Sequence, residues 1–313
     1  MGDEIAKSDL LLNELPEDVI VLDWGYEAEH PFMTRAARLA RSGHPFVTCP
    51  GTNSWSTFTG LTDNMMGCIR HAAEAANTYY GEGMLLTDWG DMGHLQYLPV
   101  SYGPAVYAGA LAWNPQKDMD REMLSKALDM FVFKDASRKM GRACLMAGDY
   151  AKMEEFLLPC RTLASTALSV GGGDKSAYEN QVRTMIAINN HLLEPCVSGV
   201  YQESYDRRKP LNLPALMTGL EDVKKMFAQA QPQCAQGQLA VREYINGLEM
   251  VKVLSLVRAL WLEDAAADRA QALLAKDLLN VIESHKDLWL ERNKLYGLEL
   301  GLAPLYQIYK KFN

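Results

Sequence analysis

The sequence predicts an α/β fold: a short parallel βαβαβ segment followed by an all-helical region. Three observations carry this expectation. Apolar runs of strand length occur at 19–24, at 46–49 and from Met84 onward, each ending in a turn-forming cluster. The two stretches that join them each hold one helix-length amphipathic segment, and strands joined through a helical crossover pair in parallel. From Asp118 onward the apolar period becomes 3.6 almost throughout.

Taken in order, residues 1–18 read as the end of a helical or loop element, closed by Pro16 before the first strand. A helix is expected over 33–42, stopped by Gly43. After the second strand comes Pro50-Gly51-Thr52-Asn53-Ser54-Trp55, and Asp63 can cap a helix over 64–80 that places Met66, Ile69, Ala73 and Ala76 on one face. The run from Met84 has no polar face, so it reads as a strand buried on both sides, and a helix over 104–113 follows it. Helices are then expected over 121–132, 137–147, 153–168, 178–193, 216–229, 239–261, 266–285 and 296–309. Gly171-Gly172-Gly173 and the segment 209–214 interrupt them. Trp113, Trp261 and Trp289 fall in helical surroundings and are most simply core.

Bulk properties bound the function. With 48% hydrophobic residues in 313, the chain can bury a sizeable core. A formal charge of -8, with 31 scattered Lys and Arg, argues against nucleic acid or an anionic membrane surface as the main partner. No apolar run approaches the ~20 residues of a membrane span. The acidic start Met1-Gly2-Asp3-Glu4 does not read as a signal peptide, and Ala6 stands where a myristoylation signal wants Ser or Thr, so a cytoplasmic location is expected. Six cysteines without a CxxC pair read as reduced, mostly buried thiols. No cofactor is expected: the GxxxxGK[ST] and GxGxxG phosphate loops are missing. No metal is expected either, since His94 has neither HxH nor HExxH spacing.

The functional signal lies at the strand ends, where βα loops converge in parallel architectures. The first strand ends in Asp23-Trp24-Gly25-Tyr26-Glu27, the second in the loop bearing Trp55, and the third in Thr87-Asp88-Trp89-Gly90-Asp91, with His94 close behind. An indole offers a flat face to the C–H side of a sugar ring, and carboxylates accept hydrogen bonds from its hydroxyls. The candidate substrate-binding set is therefore Trp24, Glu27, Trp55, Asp88, Trp89, Asp91 and His94. The competing interpretation is that each tryptophan merely plugs a core and that Asp23 and Asp88 cap the next turn. Cys49, at the tip of the second strand, is a candidate nucleophile, against the commoner role of a small buried thiol.

These motifs resemble glycoside hydrolase family 20. Val-Leu-Asp-Trp-Gly-Tyr-Glu-Ala-Glu-His-Pro-Phe, Cys-Pro-Gly-Thr-Asn-Ser-Trp, and Thr-Asp-Trp-Gly-Asp-Met-Gly-His with the later Leu98-Pro99-Val100-Ser101-Tyr102 look like the later strands of that catalytic barrel. The tail Leu288-Trp289-Leu290-Glu291-Arg292-Asn293 resembles the end of a bacterial branch with a long helical C-terminal region. The resemblance implies a partial (β/α)8 barrel over residues 1–117, a helical domain over 118–313, and a β-N-acetylhexosaminidase-like activity on terminal N-acetylhexosamine. In that family the substrate's own acetamido oxygen attacks the anomeric carbon while an Asp-Glu pair orients it and protonates the leaving group. The pair sits in an HxGGDE motif. The comparable Gly2-Asp3-Glu4 lies too close to the first strand, with only 14 residues between Glu4 and Val19, so the catalytic pair is expected to be missing from this chain. By resemblance Trp89 and Asp91 contact the sugar's outer hydroxyls, and Trp24 and Trp55 wall the pocket. The family's tyrosine for the acetamido oxygen has no counterpart beside Trp55, where Ser54 and Ser56 stand.

Three functional expectations follow. The first is the C-terminal portion of a retaining β-N-acetylhexosaminidase-like protein with sugar-binding walls and no acid, inactive alone. The second is a non-catalytic carbohydrate-binding or scaffold protein that reuses half a barrel. The third is an unrelated barrel enzyme using Cys49. A partial barrel leaves an apolar strand edge, so self-association or pairing with a missing N-terminal barrel half is expected.

Overall fold

The computed structural model describes residues 5, 7–116, 119–262 and 265–313. The chain is mostly helical around one three-stranded parallel sheet. The boundary expected between 117 and 118 lies outside the described residues, as do Gly2, Asp3, Glu4 and Ala6.

After a short helix α1 (Asp9–Asn13) come β1 (Val21–Trp24), α2 (Phe32–Ser42), β2 (Phe46–Cys49), α3 (Thr62–Thr78) and β3 (Gly83–Met84). The parallel βαβαβ order is as the apolar runs predict. The sheet runs β1-β2-β3, with Val21 opposite Phe46, Trp24 opposite Cys49 and Val47 opposite Gly83. Although β3 is only two residues long, its pairing continues toward the tip. The Leu85 N–H donates to the Thr48 carbonyl, the Thr87 N–H to the Pro50 carbonyl and the Thr52 N–H to the Thr87 carbonyl, each at 2.9 Å. The second and third strand-end loops are thereby tied together. Gly43 ends α2 in the left-handed conformation, as expected of a C-terminal glycine. At the start of α3, however, Leu61 takes the cap position and Asp63 lies inside the first turn.

The expectation that the third strand is buried on both sides is corrected. Both α2 and α3 pack on one face of the sheet, against Val21, Phe46 and Thr48. Strand side chains alternate between faces, so Leu22, Val47 and Leu85 fall on the other. Leu22 is 45% exposed and Leu85 50% exposed. Parallel sheets are normally covered on both faces, and this one is half open.

The helical part comprises α4 (Tyr102–Trp113), α5 (Arg121–Ala127), α6 (Met140–Ala147), α7 (Leu163–Val170), α8 (Lys175–Leu192), α9 (Pro195–Asp206), α10 (Leu213–Gln229), α11 (Gly237–Trp261), α12 (Ala265–Arg292) and α13 (Leu298–Phe312). The long expected helices are present, and three differences have local causes. The expected 153–168 helix is broken by Pro159, and α7 starts later at a capping box formed by Thr162 and Ser165. The expected 121–132 helix widens into a π-helical turn over Leu128–Phe133. The sequence reading passes over α9, whose Pro195 occupies the first turn, where a proline starts a helix rather than ending one.

A small core joins α1, α2 and the helix-covered face of the sheet to Cys68, Ala72 and Ala75 of α3. Met65, Ile69 and Ala73, on the other side of α3, belong to the main core, which continues through the helical region. The two parts are therefore packed together along α3. Trp261 is buried as expected and Trp289 packs partly against the main core, but Trp113 is 91% exposed at the last residue of α4, which corrects its assignment to the core.

Candidate functional site

The three indoles converge on one phenol. The Trp24 ring stacks on Tyr26 with centroids 5.1 Å apart, and Trp55 meets the same ring edge-on, also at 5.1 Å. Trp89 Nε1 donates to the Tyr26 hydroxyl at 3.1 Å. Gly51 makes this closure possible: a Cβ there would lie 2.3 Å from the Trp55 ring and 2.9 Å from the Tyr26 ring. Tyr26 is the residue that sequence reasoning missed. Its signal was its position, two residues beyond Trp24 and so on the same side of the extended chain. Burial raises its pKa, against hydrogen bonds from Trp89 and Thr87.

Exposure differs sharply within the cluster. Trp55 is 4% exposed and Trp89 49%, with Trp24 and Tyr26 between. Asp88 Oδ1 accepts from the hydroxyls of Thr52 at 2.6 Å and Ser54 at 2.7 Å, which fixes the carboxylate at the loop junction while the residue stays exposed. Asp91 is exposed on a 3-10 turn, close enough to Arg161 to raise that guanidinium's pKa, although burial dominates and lowers it overall. Arg161 Nη1 has a long contact to Met185 Sδ at 3.5 Å.

Glu27 lies beneath the cluster rather than in its mouth. It is buried, accepts from the Cys160 thiol at 3.4 Å and from the Tyr26 N–H at 3.3 Å, and burial raises its carboxyl pKa. His30 stands 3.9 Å away, held neutral by burial with its pKa lowered to about 3. Asp23 is an anchor: it pairs with Arg35 at 3.1 Å, and Arg35 also holds Glu194, just before α9, at 2.7 Å. That link and Cys160 bring the helical part over the strand ends. Cys49 is buried and its thiol is pushed up to about 11 by burial, with Asp23 adding to the effect, which disfavours a thiolate nucleophile. Of the six free cysteines, Cys49, Cys68 and Cys144 are buried and Cys196 is exposed.

His94 does not join the cluster. It is exposed and left-handed at φ 56°, with its ring folded over Gly90, where a Cβ would lie 2.2 Å from Nδ1. The loop that carries Trp89 and Asp91 is held from behind by α13. A Cβ on Gly301 would come within 2.7 Å of the Gly93 carbonyl oxygen, and one on Gly93 within 3.0 Å of the Gly301 Cα.

The loop over 51–60 is buried throughout although it carries six hydroxyl or amide side chains. Thr57 Oγ1 donates to the Ser54 carbonyl at 2.7 Å and accepts from the Gly60 N–H at 2.8 Å; Thr59 donates to the Ala147 carbonyl at 2.7 Å. Asn64 Nδ2 reaches both Asn53 Oδ1 and the Tyr26 carbonyl. Ser56 Oγ is buried with no hydrogen-bond partner. Asn53, Ser56 and Phe58 hold left-handed backbone, as does Cys160 opposite Glu27. Such residues each cost on the order of 1 kcal/mol and persist where the surroundings enforce them.

Among the described residues no three His, Cys, Asp or Glu side chains form a group that could hold a metal ion, and no helix is long and apolar enough to cross a membrane. The chain matches no protein-family model and no curated protein.

Proposed function

We propose that the strand ends bind the terminal N-acetylhexosamine of a carbohydrate, and that the chain is the C-terminal part of a β-N-acetylhexosaminidase-like barrel of glycoside hydrolase family 20. The reading rests on the convergence of Trp24, Trp55 and Trp89 on Tyr26. Trp89 offers a half-exposed indole, with Asp88 and Asp91 beside it as acceptors, and Trp24 is the second wall. Tyr26, edge-on to Trp55, supports the reading as a phenol near the indole beside which the sequence motif has only Ser54 and Ser56. The half-open sheet supports a partial (β/α)8 barrel, since further parallel strands would cover Leu22 and Leu85. The Asp-Glu pair of the family is not among these strand ends. In this reading the chain binds sugar, and a segment outside these strands supplies the acid and the acetamido-orienting carboxylate.

The test is titration of the full chain with N-acetylglucosamine, following tryptophan fluorescence. We expect a saturable change that Trp89→Ala abolishes, with no hydrolysis of an aryl N-acetylglucosaminide. A silent titration removes the reading, and cleavage by the chain alone removes the missing acid. A second reading, a scaffold that has kept the aromatic cluster as core, is favoured by the burial of Trp55 and Glu27; silence in the same titration selects it.

A further inference from the structure

A cavity of about 620 Å³ opens in the helical part, between the start of α8, the end of α9 and the loop before α10. That volume suits a small organic ligand. Its apolar lining includes Phe156 and Leu211, and Phe156 meets Tyr205 edge-on with centroids 5.1 Å apart. Its charged lining is unevenly matched. The two carboxylates are already engaged, Glu179 with Arg183 at 3.0 Å and Glu155 with the buried Arg258. Arg208 lies over the Tyr205 ring, 4.4 Å from its centroid, and donates to the Tyr205 carbonyl, so it is held in place without neutralisation. Neither Arg208 nor Lys209 has a carboxylate at ion-pair distance among the described residues. At the floor, Tyr178 is 4% exposed and its hydroxyl accepts from Arg258 Nε at 3.1 Å. That leaves its own proton to donate, and no acceptor for it is found among the described residues.

A held guanidinium and an exposed ammonium at the edge, a phenol with an uncommitted proton at the base and aromatic walls between define an amphipathic ligand. We propose that this cavity binds a small organic anion: a phosphate or carboxylate held by Arg208 and Lys209, on an aromatic body lodged against Phe156, Tyr178 and Leu211. The site is separate from the strand ends, and its occupant need not be a sugar.

The experiment is calorimetric titration of the full chain with 1-naphthyl phosphate, with 1-naphthol and inorganic phosphate as the two halves of the probe. We expect one saturable site that binds naphthyl phosphate at least about tenfold more tightly than either half, and more weakly as salt is raised. Arg208 and Lys209 are exposed, so the double change Arg208→Ala with Lys209→Ala should keep the far-ultraviolet circular dichroism while weakening binding by at least about tenfold. Tyr178→Phe should weaken it less, and Trp89→Ala should leave it unchanged. Equal binding of 1-naphthol, equal binding of inorganic phosphate, indifference to the double change, or no saturation would each overturn the proposal.

Discussion

The strand-end loop over 51–60 and the interior of the helical part both bury polar groups, with opposite chemistry. The loop uses neutral hydroxyls and amides that, Ser56 apart, bond one another, nearby carbonyls and the Asp88 carboxylate at the loop junction. The helical interior uses charge: Arg258 is fully buried, pairs with Glu154 at 2.9 Å and Glu155, and donates to Tyr178. Glu154 further accepts the Leu163 and Ala164 N–H groups at the start of α7, at 2.7 and 2.8 Å. The two partners shift differently. Arg258 is held above its ordinary value by its carboxylates and Tyr178, in spite of burial, whereas burial pushes Glu154 up to about 7 although Arg258 and the two N–H groups favour its anion. Glu154 rises because its side chain is only 1% exposed and it shares its cation with Glu155. The comparison teaches that the loop is shaped by buried side chains that do not themselves titrate, while ionic burial makes the packing of α7 and α11 depend on protonation.

The most damaging way to break the comparison is Arg258→Met. It strands two buried carboxyl groups, so urea unfolding should show a loss of roughly 3–5 kcal/mol. Adding Glu154→Gln and Glu155→Gln should recover much of that loss.

The pH dependence sharpens the contrast. A carboxyl whose folded pKa is raised contributes stability that is complete below the unfolded value near 4.5 and is lost as pH rises through about 7. The stability of the wild type relative to Glu154→Gln should therefore fall across that window, by up to roughly 3 kcal/mol. A flat difference between pH 4.5 and 7.5 would remove the pH-dependent half of the contrast.

Thr57→Val should have a smaller effect. It removes a donor to the Ser54 carbonyl and an acceptor for the Gly60 N–H, at a cost of about 1–3 kcal/mol that stays constant over the same pH range. A penalty that changed with pH would show that Thr57 is coupled to Asp88, the carboxylate that Thr52 and Ser54 hold.

Much of the frame was legible because period and punctuation are local. Gly43 stopped α2 where it should, and the 3.6 period located α10 and α11 within a few residues. What was not legible depended on partners distant in sequence. That Leu85 is half exposed follows from α2 and α3 sharing one face, and the strand's own composition does not encode that choice. Trp113 has a helical neighbourhood in sequence, but no element among the described residues covers it. At the site, the three indoles could be picked out because each ends an apolar run, and their common focus on Tyr26 emerged only from the pairing of three loops. Cys160 and Arg161 come from beyond the break at Pro159, with no motif to mark them. His94 sits next to the cluster in sequence, but a left-handed turn carries it away.

The crossing of Gly93 and Gly301 has a mechanical consequence. Backbone touches backbone there with no side chain to cushion the contact, so the loop bearing Trp89 rests on the final helix as on a fixed stop. A load that shifts α13 by even one methyl's width would be transmitted to the outermost indole, which makes the far end of the chain a lever on the aromatic mouth.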